Sequence, residues 1–173
     1  TEIIIDSMRI EPTFVEFHVH AKTNSQPCPD CSCPSTRVHS RYERVLRDLP
    51  WRGTPVKIRL LTRRFFCDHS VCHRKIFSEQ IDELVKRRAQ STPRFNKELI
   101  DIGLEAGGAP GARLARKLGT VTSGSSILRR LRAMPPMTPP DSTLAIGIDD
   151  FAFRRGTTYG TIIVDHVTGR PID

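Results

Sequence analysis

Nowhere in its 173 residues does the sequence hold the roughly 18 to 20 consecutive apolar positions that a bilayer crossing demands. No basic-then-apolar leader opens it either, so neither a membrane span nor secretion is expected, and the expected location is cytoplasmic. Internal repeats are missing. Cysteine is sparse: five residues, an odd number, set in close pairs, which excludes an evenly spread disulfide framework and fits a reduced compartment and a metal. Acidic side chains are absent from Arg113 through Arg132, a stretch with six basic residues.

That last absence points to what is present. Lys and Arg number 27 against 19 Asp and Glu, a formal net charge of +8, and the hydrophobic content of 38% suits a globular chain with a packed core. A second basic concentration lies between Arg37 and Lys75, with eleven cations against Glu43, Asp48 and Asp68. Two such patches favour a polyanionic partner, nucleic acid above all, contacted in two places.

The apolar pattern divides the chain. Ile3 to Ile5 and Phe14 to Val19 read as strands, the second alternating as a half-buried strand does, with Glu11-Pro12 as the turn. Val38 to Leu46 and Val56 to Phe66 read as a long basic hairpin turning through Pro50, Gly53 and Pro55. From Ser91 the period becomes helical. Thr92-Pro93 opens a helix carrying Phe95, Leu99, Ile102 and Ala106 on one face and closed by Gly107-Gly108. Shorter helices are expected over about Pro110 to Leu118 and Ser123 to Met134, the latter capped by Thr122 or Ser123. A proline-rich linker follows, then strands at Leu144 to Asp149 and Tyr159 to Asp165, with Thr168-Gly169 turning toward a third.

Three groups of residues carry chemistry. Cys28-Pro-Asp-Cys31 and Cys67-Asp-His-Ser-Val-Cys72 stand at opposite ends of the basic hairpin in the sequence, and a hairpin that returns the second pair beside the first is the natural scaffold for a shared site. Four thiolates around one structural Zn2+ make a zinc ribbon, with Cys33, His69 and His73 close enough to substitute as ligands. The hairpin would then present Arg37, Arg41, Arg44, Arg47, Arg52, Arg63 and Arg64 to phosphates. In the second group, Leu114, Ala115, Leu118, Ile127 and Leu131 have the spacing of a helix-turn-helix, with Arg113, Arg116 and Lys117 on the first helix and Ser125, Ser126, Arg129 and Arg130 on the second. A helical hairpin at a protein interface has the same spacing; the lack of acids favours DNA. In the third, a strand ends at Asp149-Asp150, where carboxylates serve either as turn residues or as metal ligands.

In order, Cys28-Pro-Asp-Cys31, Arg37-Val-His-Ser-Arg-Tyr42, Asp48-Leu-Pro-Trp51, Arg63-Arg-Phe-Phe-Cys67, Arg74-Lys-Ile-Phe-Ser-Glu79 and Gly147 through Gly156 with Tyr159-Gly-Thr-Ile resemble bacterial insertion-sequence transposases of the ISL-three type. The resemblance runs from about Cys28 onward. It implies an α+β chain: a β-rich zinc ribbon over 1–80, a helix-turn-helix over 81–134, a linker over 135–143, and over 144–173 the first strands of a ribonuclease-H-like domain. It further implies an Asp-Asp-Glu triad binding Mg2+, with Asp149 (alternatively Asp150) as its first member and the other two expected beyond Asp173. Ser32, where such a knuckle favours glycine, and the extra thiol of Cys33 depart from the pattern.

The implied function is binding of double-stranded DNA at transposon inverted-repeat ends, by one copy or a homodimer, with cleavage and strand transfer belonging to the complete catalytic domain. A stand-alone regulator using the same two DNA-binding parts, and a zinc-stabilised module docking on an acidic protein, are the alternatives.

Overall fold

The structure, a computed structural model, describes residues 2–135, 145–154, 156–167, 169 and 171. They fall into two units, Thr1–Ala133 and Met134–Asp173. None of the described helices is long and apolar enough to cross a membrane.

The first unit is organised around one strand, β6 (Thr54–Phe66). Val56, Ile58, Leu60 and Thr62 point inward while Lys57, Arg59, Leu61 and Arg63 point outward, the two-residue period of a half-buried strand. Along one edge runs β5 (Val38–Trp51), antiparallel and joined to β6 by a two-residue turn. Arg52 and Gly53 both have positive φ there, 53° and 78°, the combination whose twist matches a hairpin. Along the other edge, β2 (Phe14–Ala21) pairs with β6 in parallel from Val15↔Val56 to His20↔Leu61, and β7 (Ile76–Ser78) pairs antiparallel farther on. The outermost strand, β1 (Ile3–Glu11), lies antiparallel on β2, and β3 (Gln26–Pro27) with β4 (Pro34–Ser35) forms a separate small pair.

One face of the sheet buries Val15, Val19, Leu46, Val56, Ile58 and Leu60. Ile81 and Val85, in a turn after β7 where the Ile81 carbonyl accepts from Leu84 and Val85, close over them, so the core of the sheet continues past residue 80. Each such side chain contributes about 1.5–3 kcal/mol by leaving water. The opposite face is polar: Arg59 bridges Glu16 and Glu43, and His18 meets Glu16 at 3.2 Å.

Three helices complete the unit. The first, α1 (Pro93–Ala106), starts where Thr92 accepts from Phe95 N–H and proline occupies the first turn; α2 (Ala109–Lys117) and α3 (Gly124–Arg132) follow. Ser123, not Thr122, caps α3, accepting from Ser126 N–H at 3.1 Å. Phe95, Leu99, Ile102, Ala112, Ala115 and Ile127 form their common core. The start of α3 passes so near the start of α2 that a Cβ on Gly124 would stand 2.9 Å from Ala109 N, which makes that position glycine-specific.

What holds α1 against the sheet is a buried carboxylate. Asp48 on β5, 3% exposed, accepts from Thr92 Oγ1 at 2.6 Å and from Arg94 Nε at 2.7 Å, while Arg47 N–H donates to the Gln90 carbonyl and the Arg47 carbonyl accepts from Thr92 N–H, each at 3.0 Å. Burial pushes the Asp48 carboxyl up, but the hydrogen bonds from Arg94 and Thr92 outweigh that and hold it below the usual aspartate range.

The second unit is the hairpin of β8 (Ile146–Arg154) and β9 (Thr158–Asp165), antiparallel from Ile146↔Asp165 to Arg154↔Thr158. Its strand does not end at the paired aspartates, as the sequence suggests: β8 runs on through Phe151 and Phe153, whose rings meet edge to face, and leaves Asp149 and Asp150 mid-strand. The expected linker lies almost wholly outside the described residues, as does Thr168 of the expected third-strand turn.

Because Asp48 ionises more readily folded than unfolded, the stability it contributes is complete above its unfolded value near pH 4 and fades as pH falls through the lower folded value. Asp48→Asn is expected to cost about 1–3 kcal/mol at pH 7 and to flatten the loss of stability below pH ~4. Urea denaturation at a series of pH values measures both effects.

Candidate metal centre and basic surface

The two cysteine pairs meet at the end of the hairpin opposite its turn. Cys28 begins a tight knuckle between β3 and β4: Ser32 N–H donates to the Cys28 carbonyl at 2.8 Å, and Cys28 N–H donates to the Cys33 carbonyl at 2.9 Å. Closing that loop places Ser32 at φ 59°, the left-handed region that glycine enters more cheaply. The second knuckle follows β6 directly, with Cys67 N–H donating to Lys75 and Cys72 N–H to the His69 carbonyl. Arg74 Nε to Asp30 at 2.7 Å ties one knuckle to the other.

Cys28, Cys31, Cys67 and Cys72 bring their sulfurs within 4.8 Å of one another, with Cys31–Cys67 at 3.6 Å and Cys28–Cys72 at 4.0 Å. Four sulfurs about 2.3 Å from a central zinc ion stand roughly 3.8 Å apart, so this set fits a tetrahedral thiolate site. Phe65 and Phe77, stacked with ring centroids 5.9 Å apart, back the sulfurs from the interior. The thiols ionise unequally. Burial pushes Cys28 up, but N–H groups of Asp30 and Cys31 turned toward its sulfur bring it down to about 7. Cys67 receives the His69 N–H yet, desolvated and crowded by the other sulfurs, is pushed up to about 12, and Cys72 is also raised. One thiolate opposes the next, and a divalent cation bound among them removes that opposition.

Residues 24–72 match the zinc finger of the IS204/IS1001/IS1096/IS1165 transposases. No curated protein and no solved structure matches the chain. The matched segment holds all four clustered cysteines and the whole β5–β6 hairpin, so the match and the sulfur cluster agree on a zinc ribbon. Of the substitute ligands read from sequence, Cys33 and His69 lie close to Cys31, whereas His73 joins no cluster among the described residues.

The ribbon's arginines divide by what they hold. Arg63 pairs with Glu79, whose side chain is fully buried, through its guanidinium and also its own backbone N–H. Arg44 donates to the Ala89 carbonyl at 2.6 Å. Arg37 lies 4.1 Å over the Phe66 ring and pairs with Asp68, and Arg64 lies 4.8 Å over Tyr42. Arg41 is exposed. On the helices Arg113, Arg116, Lys117, Ser125 and Arg129 are exposed, while Ser126 and Arg130 are half-buried and joined at 2.6 Å.

Sequence reasoning missed a cleft of about 300 Å³ lined by Arg47 of β5, Arg88, and Arg129 and Arg130 of α3, with no acidic residue in its wall. Arg88 lies in the segment between sheet and helices, with φ 62°. Desolvation, then repulsion from Arg47 and Arg129, lowers Arg130 from the usual guanidinium value. The sequence signal was the Arg87-Arg88 pair, legible as basic but not as the neighbour of α3. Asp149 and Asp150 are both exposed; Asp150 accepts from Thr161 Oγ1 at 2.7 Å.

The purified chain is expected to carry about one tightly held zinc. Cys28→Ser with Cys72→Ser should remove it and release backbone amides of 26–36 and 66–78 to hydrogen exchange, while 15–21 and 56–62, packed in a core without cysteine, stay protected. Equal exchange across both regions would show that the metal supports the entire sheet.

Proposed function

We propose that this chain is the DNA-binding N-terminal portion of an insertion-sequence transposase, acting on duplex DNA at inverted-repeat ends. The observation that carries the proposal is the acid-free cleft of Arg47, Arg88, Arg129 and Arg130 beside a transposase-type zinc ribbon. The four arginines line one space with no acid in its wall, the charges of Arg47 and Arg129 act against that of Arg130, and phosphate oxygens are the ligands that relieve such repulsion, releasing counterions as they bind. In this reading α2, the turn of residues 118–123 and α3 act as a helix-turn-helix. Ser125 on α3 reaches the groove with Arg129 on the phosphates at its edge, and Arg113, Arg116 and Lys117 on α2 contact the backbone. Recognition of paired ends by two copies belongs to the same proposal.

Arg41 and Arg64 extend the phosphate surface along the ribbon, and Arg37 contributes its outer edge. Arg44 and Arg63 serve DNA binding indirectly, by fixing the strand that carries the others. Asp149, with Asp150 as the alternative, is assigned the first carboxylate of a ribonuclease-H-like site. Among the described residues no third donor joins them, so these residues do not by themselves assemble a magnesium site and no cleavage step is assigned to them.

Binding to duplex DNA should weaken steeply with salt. Arg47→Ala combined with Arg129→Ala is expected to lower affinity about tenfold or more and the salt slope by about 2, with the fold intact by circular dichroism. Arg63→Ala should instead unfold the chain by leaving Glu79 buried and unpaired. An unchanged salt slope in the folded double variant would overturn the assignment of this cleft.

A further inference from the structure

Beside the four-sulfur set stands a second group of donors. Cys31 Sγ, Cys33 Sγ and His69 also lie within 4.8 Å of one another, so Cys31 belongs to both groups. The backbone fixes the two outer donors. The Cys33 carbonyl accepts from Cys28 N–H at 2.9 Å, and the His69 carbonyl accepts from Cys72 N–H at 3.1 Å. Each is thereby anchored to a knuckle whose own sulfurs face the first site. Neither the Cys33 thiol nor the His69 ring has a hydrogen-bond or ion-pair partner among the described residues, and Cys33 is half-buried while His69 is exposed.

We propose that Cys31, Cys33 and His69 form a second, exchangeable site for a soft divalent cation such as Zn2+ or Cd2+, with Cys31 as a thiolate bridging it to the ion of the first site. The inference rests on the zinc-ribbon reading of the four cysteines. Two thiolates and an imidazole suit zinc or cadmium, and three protein donors leave a fourth position open to solvent. Binding displaces the Cys33 thiol proton to water and needs no other reactant. The bridge constrains the energetics: sharing Cys31 leaves less sulfur charge for each ion, and two cations stand close together. The second ion therefore binds more weakly than the first and leaves first. Exposure of His69 gives it a path to solvent that the buried Cys28 and Cys72 lack. Incoming metal can settle on the outer donors before passing to the inner four.

Titration of the metal-free full chain with Cd2+, followed by native mass spectrometry and cadmium NMR, separates the possibilities. The proposal expects about two equivalents, the second lost on mild chelation, with coupling between two cadmium resonances through the shared sulfur. Cys33→Ser and His69→Gln, alone or together, should retain the first equivalent and lose the second, since the Cys33 and His69 backbone bonds survive both changes. One equivalent in the parent overturns the second site and leaves the ribbon standing, and no bound metal overturns both. A second equivalent that persists in the double variant shows that it binds elsewhere and also overturns the proposal.

Discussion

The first unit depends on the hydrogen-bonding capacity of one strand. Both edges of β6 are taken, by β5 on one side and by β2 and then β7 on the other, and its far end runs into Cys67. Sheet core, metal ligands and the turn that closes the core are all positioned from this strand. Its central place also explains its composition. A strand covered on one face and wet on the other must alternate, and β6 satisfies that with aliphatic residues inward and Lys57 and Arg59 outward, while Arg63 on the outer face is covered by its pairing with Glu79. The cationic row is a consequence of the fold as much as a preparation for a partner.

A surplus of positive charge is therefore a poor map of where a polyanion binds. Glu79, Asp48 and Glu16 are acids buried in a basic protein, and each is matched to an arginine: Arg63, Arg94 and Arg59. Removing one partner of such a pair strands the other in a low-dielectric setting, a larger loss than that of any surface ion pair. Arg47, Arg88, Arg129 and Arg130 instead line a cleft between α3 and the edge of β5 whose wall holds no acid, and Arg130 there is lowered by desolvation and by the charges of Arg47 and Arg129.

Much of this architecture was legible in the residues. Paired cysteines flanking an alternating hairpin, Thr92-Pro93 at a helix start and Gly107-Gly108 at its end are local signals, and the elements follow them. What was not legible depends on partners distant in sequence. Nothing in Phe14–Ala21 announces a parallel pairing with residues forty positions onward, and Asp48 does not disclose Thr92 and Arg94. Ile81 and Val85 carry no period because they belong to a turn rather than a helix, yet they close the core. Asp149-Asp150 suggested a strand end because aspartate is depleted in strands; cross-strand bonding of Asp150 to Thr161 accommodates it mid-strand. The cysteines announced a metal, while the overlap of two donor groups at Cys31 emerged only from folding both knuckles together.

The hairpin's turn reaches the end of α2, where Gly119, at φ 88°, approaches the Gly53 carbonyl too closely for any side chain, while the opposite end of the same hairpin carries the cysteines. Its strand length therefore sets the separation between the knuckles and the helices. A strand lengthens by about 3.3 Å per residue, but a change of one residue would turn every inward side chain outward, so length can change only in pairs. Each permitted step is about 6.6 Å. The hairpin is in effect a ruler graduated in twos, and the distance it fixes between the cysteine knuckles and the helices can take only those values.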